Sequence, residues 1–301
     1  MSRPRIIISS LRRSGSTIFW RCFRNASEAV CFDEPFNPNL IRLPRVHEKN
    51  IDAEYLRLLD QDACAFWEAI HPIYPLDELQ PVLKPQTAEW LDWLSDQAQS
   101  LVLDTTRCWN KIDALADQET DDTYLIHLHR SPAGFTASHL LPSDMKSSLL
   151  GKWDLFKRRR KFFDMDGGFN FWRIEDIVGH GLQSAFASQI LRDAGGAERF
   201  YSWKAHAKLL YFWKTAYSKV EDEGRAAFGD RFLSVSFERF SRRPKKVLAE
   251  IQADTGLSMD ISCLPNVRPA SPVFREGHAR WFEAAERVGL PADAQFLFRP
   301  E

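Results

Sequence analysis

Two adjacent arginines, Arg12 and Arg13, stand directly before Ser14, Gly15, Ser16 and Thr17, in a short segment that follows the β-branched run Ile6 to Ile8. Hydroxyls and backbone N–H groups gathered at the start of a helix bind phosphate or a similar anion, and the helix dipole adds to the attraction. Arginine keeps its proton in a protein, so a cation here stabilises negative charge on a departing group without acting as an acid. A second concentration of the same kind lies at Arg130, Ser131 and Pro132, with Ser138 eight positions after the arginine. A guanidinium offers a planar fork of donors to phosphate oxygens. Between the two, Asp33 and Glu34 precede Pro35 and provide carboxylates that can remove a proton. Together these residue types point to binding of an anionic group.

The elements that must position them follow from apolar spacing. Ile6 to Ile8 reads as a strand buried on both faces, and Ile18, Phe19, Cys22 and Phe23 recur at helical spacing from Thr17. Further strands are expected at Ala29–Phe32, Leu101–Asp104, Thr123–Leu128 and Arg231–Ser236. The spacing predicts one amphipathic helix from Asp52, as its cap, to Ile70, and another from Thr87 that carries Trp90, Trp93 and Leu94. Ser131 and Pro132 open a helix through Leu141, and Pro244–Thr255 and Glu276–Val288 close on Gly256 and Gly289. Helices are also expected at Gly181–Ala194 and Tyr201–Glu223, whereas Pro142–His180 shows no clean period. Strands alternating with helices imply an α/β fold: one domain, residues 1–301, with a central parallel sheet of about five strands and helices on both faces. Helical insertions at about 40–100 and 142–180 are expected to form the acceptor pocket or a lid. Ligands bind such sheets beyond the carboxyl ends of the strands, where all three groups of polar residues fall.

Composition narrows the class. With 301 residues and a net charge of -1, the chain can bury a large core and lacks the global basicity of a nucleic-acid coat. Its five cysteines are widely spaced, with no metal-ligand pattern, and read as reduced core thiols. The first strand begins by residue 5, which leaves no room for a signal peptide, and no run is long enough to span a membrane. A soluble, cytoplasmic protein is the expectation.

The loop is not a Walker motif, because no lysine precedes its hydroxyls. Arg13 with Ser14-Gly15-Ser16-Thr17 resembles instead the 5′-phosphosulfate loop of sulfotransferases, and Arg130 with Ser138 is similar to that family's 3′-phosphate motif. The strand ending at Phe237-Glu238 and the helix from Pro244 to Gly256-Leu257 resemble a third segment of the same enzymes. Phe274-Arg275-Glu276-Gly277 with Trp281 resembles their nucleotide-covering loop, but Glu276 replaces a basic residue and a second glycine is missing. Only Arg275 is carried over from it, as a 3′-phosphate contact.

The resemblance implies a P-loop kinase-like fold and a donor, 3′-phosphoadenosine-5′-phosphosulfate, leaving 3′,5′-adenosine bisphosphate, with no metal required. It implies that Arg12, Arg13, Ser14, Gly15, Ser16 and Thr17 hold the 5′ end and that Arg130, Ser138 and Arg275 hold the 3′ end. Arg13 would stabilise the leaving phosphate. Glu34 matches the family's Glu-Pro pair and would act as base, with Asp33 its nearest competitor. No histidine follows the third strand, where other members carry theirs. The acceptor would be a small molecule, sugar or lipid hydroxyl, and a homodimer is compatible with the pattern. Tyr55, Trp67, Trp90, Trp93, Trp109 and Trp172 are candidates for a stacking pocket, although aromatic residues at helical spacing also build cores. The run Lys157–Lys161 is a solvated face or a contact for an anionic acceptor or carrier. Two other readings stay open: a P-loop kinase, and a silent nucleotide-binding module.

Overall fold

The computed structural model describes residues 5–24, 26, 29–45, 52–118, 122–142, 146–166, 203–260, 262, 267, 270 and 273–300. Five parallel strands, β1 (Arg5–Ser10), β2 (Val30–Asp33), β3 (Leu101–Asp104), β4 (Thr123–His129) and β5 (Phe232–Ser236), form one sheet in the order β2-β3-β1-β4-β5. Period-two alternation sends Ile6 and Ile8 to one face and Ile7 to the other. On the Ile6 face, α1 (Ser16–Arg24) buries Phe19, Trp20 and Phe23 against the sheet. The Ile7 face carries the larger core, which contains Trp90, Trp213 and Trp281. Helices therefore cover both faces, as the alternation of elements required.

The chain reverses direction across the sheet at β1, which has β3 on one side and β4 on the other. In parallel sheets such a switch opens a crevice at the carboxyl ends of the strands. The β1–α1 loop, the end of β2 and the end of β4 all reach that edge.

Several expected boundaries move for local reasons. The expected helix Asp52–Ile70 is two helices, α2 (Ala53–Gln61) and α3 (Ala63–Ala69). Asp62 breaks it with extended backbone (φ −152°, ψ 91°) and accepts a hydrogen bond from Ala65 N at 3.0 Å, because a short carboxylate satisfies a helix start better than a helix interior. Asp52 makes no side-chain cap. A short α4 (Pro75–Glu78) and α5 (Pro85–Asp96) complete that insertion, α6 (Ile112–Ala116) follows β3, and α7 (Pro132–Leu140) follows β4 behind its Ser131 cap.

The stretch without a clean period contains α8 (Leu149–Arg160), whose apolar residues do not follow a buried stripe. The helix expected at Gly181–Ala194, and Trp172, lie outside the described residues. Next, α9 (Ala205–Phe228) runs five residues past its expected end into β5. A short α10 (Phe237–Arg242), capped by Ser236, follows β5 and takes in the Phe237-Glu238 pair that was read as the strand end. The helix α11 (Pro244–Thr255) has its expected bounds, α12 (Ala279–Val288) starts three residues late, and α13 (Ala294–Phe298) is additional.

Candidate functional site

The β1–α1 loop has the conformation of an anion nest. Arg13 (φ 69°) and Gly15 (φ 90°) are left-handed on either side of Ser14, and alternating hand turns successive N–H groups toward one point. The ring of Phe237 packs on Gly15 so closely that a Cβ there would lie 2.3 Å from Cε2. Arg13 is exposed, Ser14 and Ser16 are buried, and Thr17 is half-buried in the first turn of α1.

The second arginine-bearing turn is locked to the first. Arg130 Nη1 donates to the Arg13 carbonyl at 3.0 Å, and its guanidinium lies 5.6 Å from the Phe237 ring centroid. Glu238 orients this corner: it accepts from Ser131 N (3.0 Å) and Ser131 Oγ (2.8 Å), and lies 3.9 Å from Arg130 Nε. The Arg130 carbonyl accepts from Trp213 Nε1 at 2.9 Å. Ser138 lies on α7 and donates to the Phe135 carbonyl at 2.8 Å. His139, beside it, is neutral: burial lowers its pKa to about 3, the Phe135 carbonyl opposes that shift, and Arg13, Arg12 and Arg130 add to it.

Glu34 stands at the end of β2, also with left-handed backbone (φ 44°). Its Oε2 accepts from Asn37 Nδ2 at 2.8 Å and lies 3.6 Å from Arg107 Nη2. The backbone on either side is pinned from the insertion: Tyr55 OH donates to the Asp33 carbonyl (2.9 Å) and Trp90 Nε1 to the Pro35 carbonyl (2.8 Å). Tyr55, Trp90 and Trp109 are thus core residues and do not line an open acceptor pocket; Trp93 is half-buried against them, and Trp67 is 40 % exposed.

Arg12 is neither a solvated charge nor turned outward. It forms a two-bond pair with the fully buried Glu78 (3.1 and 3.2 Å), and Glu78 lies 3.8 Å from Arg107. A chain of alternating charges, Arg12–Glu78–Arg107–Glu34, therefore links the anion loop to the candidate base. Burial lowers Arg107 to about 10, with Arg12 acting the same way and Glu34 and Glu78 opposing. Neither Glu78 nor Arg107 was singled out from sequence. Glu78 lies in an insertion far along the chain, and only the run Asp104-Thr105-Thr106-Arg107 after β3 hinted at the arginine.

Arg275 is exposed, with φ 51° and its guanidinium 5.2 Å from the Phe274 ring. Its loop borders a cavity of about 170 Å³ lined by Glu238, Arg242 and Glu276, which places it beside the Arg130 corner. Among the described residues, the non-glycine positions with positive φ are Arg13, Glu34 and Arg275. Such backbone costs on the order of 1–3 kcal/mol each and persists where the surroundings enforce it, most often at ligand clamps.

Asp33 does not face the crevice. It is buried beside Asp104, its partner in the β2–β3 register, and the two carboxyls interact with each other while Asp104 also meets Ser16. Burial raises Asp33 from 3.8 to about 7, with the Glu34 charge adding; burial and the Asp33 charge raise Asp104. A carboxyl whose folded pKa is raised contributes stability below its unfolded pKa and loses it as pH climbs through the folded value. Asp33→Asn should therefore raise the melting temperature relative to the unsubstituted protein by progressively more as pH climbs from about 4 to about 7, reaching several degrees. Thermal melts across that range check it, and a difference independent of pH would refute the raised pKa of Asp33.

No family model matches the sequence, and no curated protein matches it. Among solved structures, the chain is similar to the sulfotransferase domain from the Synechococcus PCC 7002 olefin synthase, at 18% identity and a TM-score of 0.47 over 96% of both chains. It is also similar to the sulfotransferase domain from the curacin biosynthetic pathway, at 12% identity and a TM-score of 0.45 over 96% of this chain and 98% of that one. Sulfotransferase STF1 from Mycobacterium tuberculosis H37Rv matches at 16% identity and a TM-score of 0.42, over 96% of this chain and 78% of that one.

Proposed function

We propose that this protein transfers a sulfuryl group from 3′-phosphoadenosine-5′-phosphosulfate to a hydroxyl of a small-molecule, sugar or lipid acceptor. The observation that carries the proposal is the Arg130–Arg13 hydrogen bond, which joins two arginine-bearing turns, each feeding a helix, into one anion site. The donor set fits a doubly phosphorylated nucleotide: the buried Nε of Arg130 lies 3.9 Å from Glu238 but makes no hydrogen bond, and Ser14, Ser16 and Thr17 surround a nest of backbone amides. When bound, the nucleotide supplies an activated sulfuryl group on a phosphate leaving group.

Arg13 and the amides of the loop hold the 5′ end, with Arg12 beside them, held in place by its pair with Glu78. Arg130, Ser138 and Arg275 hold the 3′ end. Arg13, fixed by the turn, stabilises charge on the departing phosphate oxygen. Glu34, held by Asn37 and Arg107, accepts the proton of the acceptor hydroxyl. The three buried free thiols Cys22, Cys31 and Cys108 suit a reducing compartment such as the cytoplasm. Among the described residues no helix is long and apolar enough to cross a membrane.

A second reading, phosphoryl transfer with a divalent cation, is favoured by the buried Asp33–Asp104 carboxyl pair on the α1 side of the sheet, where Asp104 meets Ser16. The missing loop lysine opposes it. Titration calorimetry separates the two. Adenosine 3′,5′-bisphosphate should bind, and the Arg13→Ala/Arg130→Ala double variant should lose at least about a hundredfold in affinity. Tight binding of magnesium–ATP in its place, or unchanged binding after the double substitution, would overturn the assignment.

A further inference from the structure

The outer face of α8 combines large apolar side chains with cations in a way that the proposed site does not use. Leu149 is 84% exposed, Leu150 83%, Trp153 58% and Phe156 48%; these are half of the large apolar residues that stand exposed among the described ones. At helical spacing Leu149, Trp153, Phe156 and Arg160 fall within about 60° of one another, while the buried Leu155 points to the opposite side. Lys157 Nζ lies 5.5 Å from the Trp153 ring centroid and the Arg160 guanidinium 5.8 Å from that of Phe156, with the two rings stacked. From Leu149 to Lys161 the sequence holds six cations and one acid, Asp154, which is already paired with Arg158 at 2.9 Å.

A soluble surface rarely leaves so many large apolar groups in one stripe. Cations that lie across the rings can extend on their apolar stems toward phosphate groups while the rings and leucines enter the acyl boundary. The net positive charge selects an anionic surface. We infer that α8 is an interfacial helix that docks this protein on anionic lipid bilayers.

The placement suits such docking. The chain leaves α8 through Phe162 and Phe163 in the core, and Ala205 N donates to the Met165 carbonyl at 2.8 Å at the start of α9. Because α9 ends at the turn into β5, its start lies toward the carboxyl edge of the parallel sheet, the edge that bears the site. The docked helix would hold that edge near the membrane surface.

Co-sedimentation of the full chain with vesicles tests the inference, and its readout is independent of any transferase activity. The protein should partition onto an equimolar phosphatidylcholine–phosphatidylserine mixture and not onto phosphatidylcholine alone. Trp153→Ser/Phe156→Ser should weaken partition by about tenfold or more. Lys157→Gln and Arg160→Gln should each cost about fivefold. All four side chains are exposed, so thermal melts of the variants should match the unsubstituted protein. Equal partition onto both vesicles, or variants that bind as tightly as the unsubstituted chain, would overturn it. A dimer in light scattering that Trp153→Ser/Phe156→Ser dissociates, without vesicle binding, would assign the face to a second copy.

Discussion

Glu34→Gln should lower kcat for sulfuryl transfer by about 10²–10⁴-fold while leaving nucleotide affinity and melting temperature nearly unchanged. The amide keeps the shape of the carboxylate, and its oxygen can still accept the hydrogen bond from Asn37. Proton-accepting capacity is removed, together with the charge that faces Arg107 at 3.6 Å. The surrounding structure indicates that position matters here: the left-handed backbone at Glu34 is held in place by Tyr55 on the residue before and Trp90 on the residue after. Steady-state kinetics with a panel of phenols, sugars and hydroxy-lipids, alongside calorimetry for the bisphosphate, measure the two quantities separately. Full turnover in Glu34→Gln would remove Glu34 as base, and Asp33, buried against Asp104, could not take its place without a rearrangement of β2.

Gly15→Ala should disable the anion loop. The residue has φ 90°, where an alanine costs about 1–2 kcal/mol, and its Cβ would meet the Phe237 ring at 2.3 Å, an overlap that costs a further 1–3 kcal/mol or so. The sum, about 2–5 kcal/mol, is a large share of the stability of a domain. Because Phe237 also lies against Arg130, the ring cannot move without disturbing the other turn. Gly15→Ala/Phe237→Leu should recover the packing part of the loss and not the backbone part. Denaturant titrations of the single and double variants distinguish the two contributions; equal stability of Gly15→Ala and the unsubstituted protein would mean that the turn relaxes freely.

Local patterns made most of the frame legible. The β-branched runs located five strands, and α11 has the bounds that Pro244 and Gly256 announce, because a residue with fixed φ opens a helix and one free to adopt φ 70° closes it. The same reasoning failed at Asp62, where a capping carboxylate split a periodic stretch, and along α8, where all large apolar residues except Leu155 face outward. A hydrophobic period reports which residues share a face; it does not report what covers that face.

At the site, the sequence by itself determined the chemical types and their order: arginines and hydroxyls after β1, a carboxylate after β2, an arginine after β4. These sit at strand ends, and a parallel sheet brings strand ends together whatever the intervening loops do. Only the tertiary structure decided their partners. Arg12 pairs with Glu78, 66 residues away, Arg107 stands between Glu78 and Glu34, and Arg130 reaches the Arg13 carbonyl across 117 residues. Charge pairing acts through space and over a few ångströms, so sequence separation carries almost no information about it.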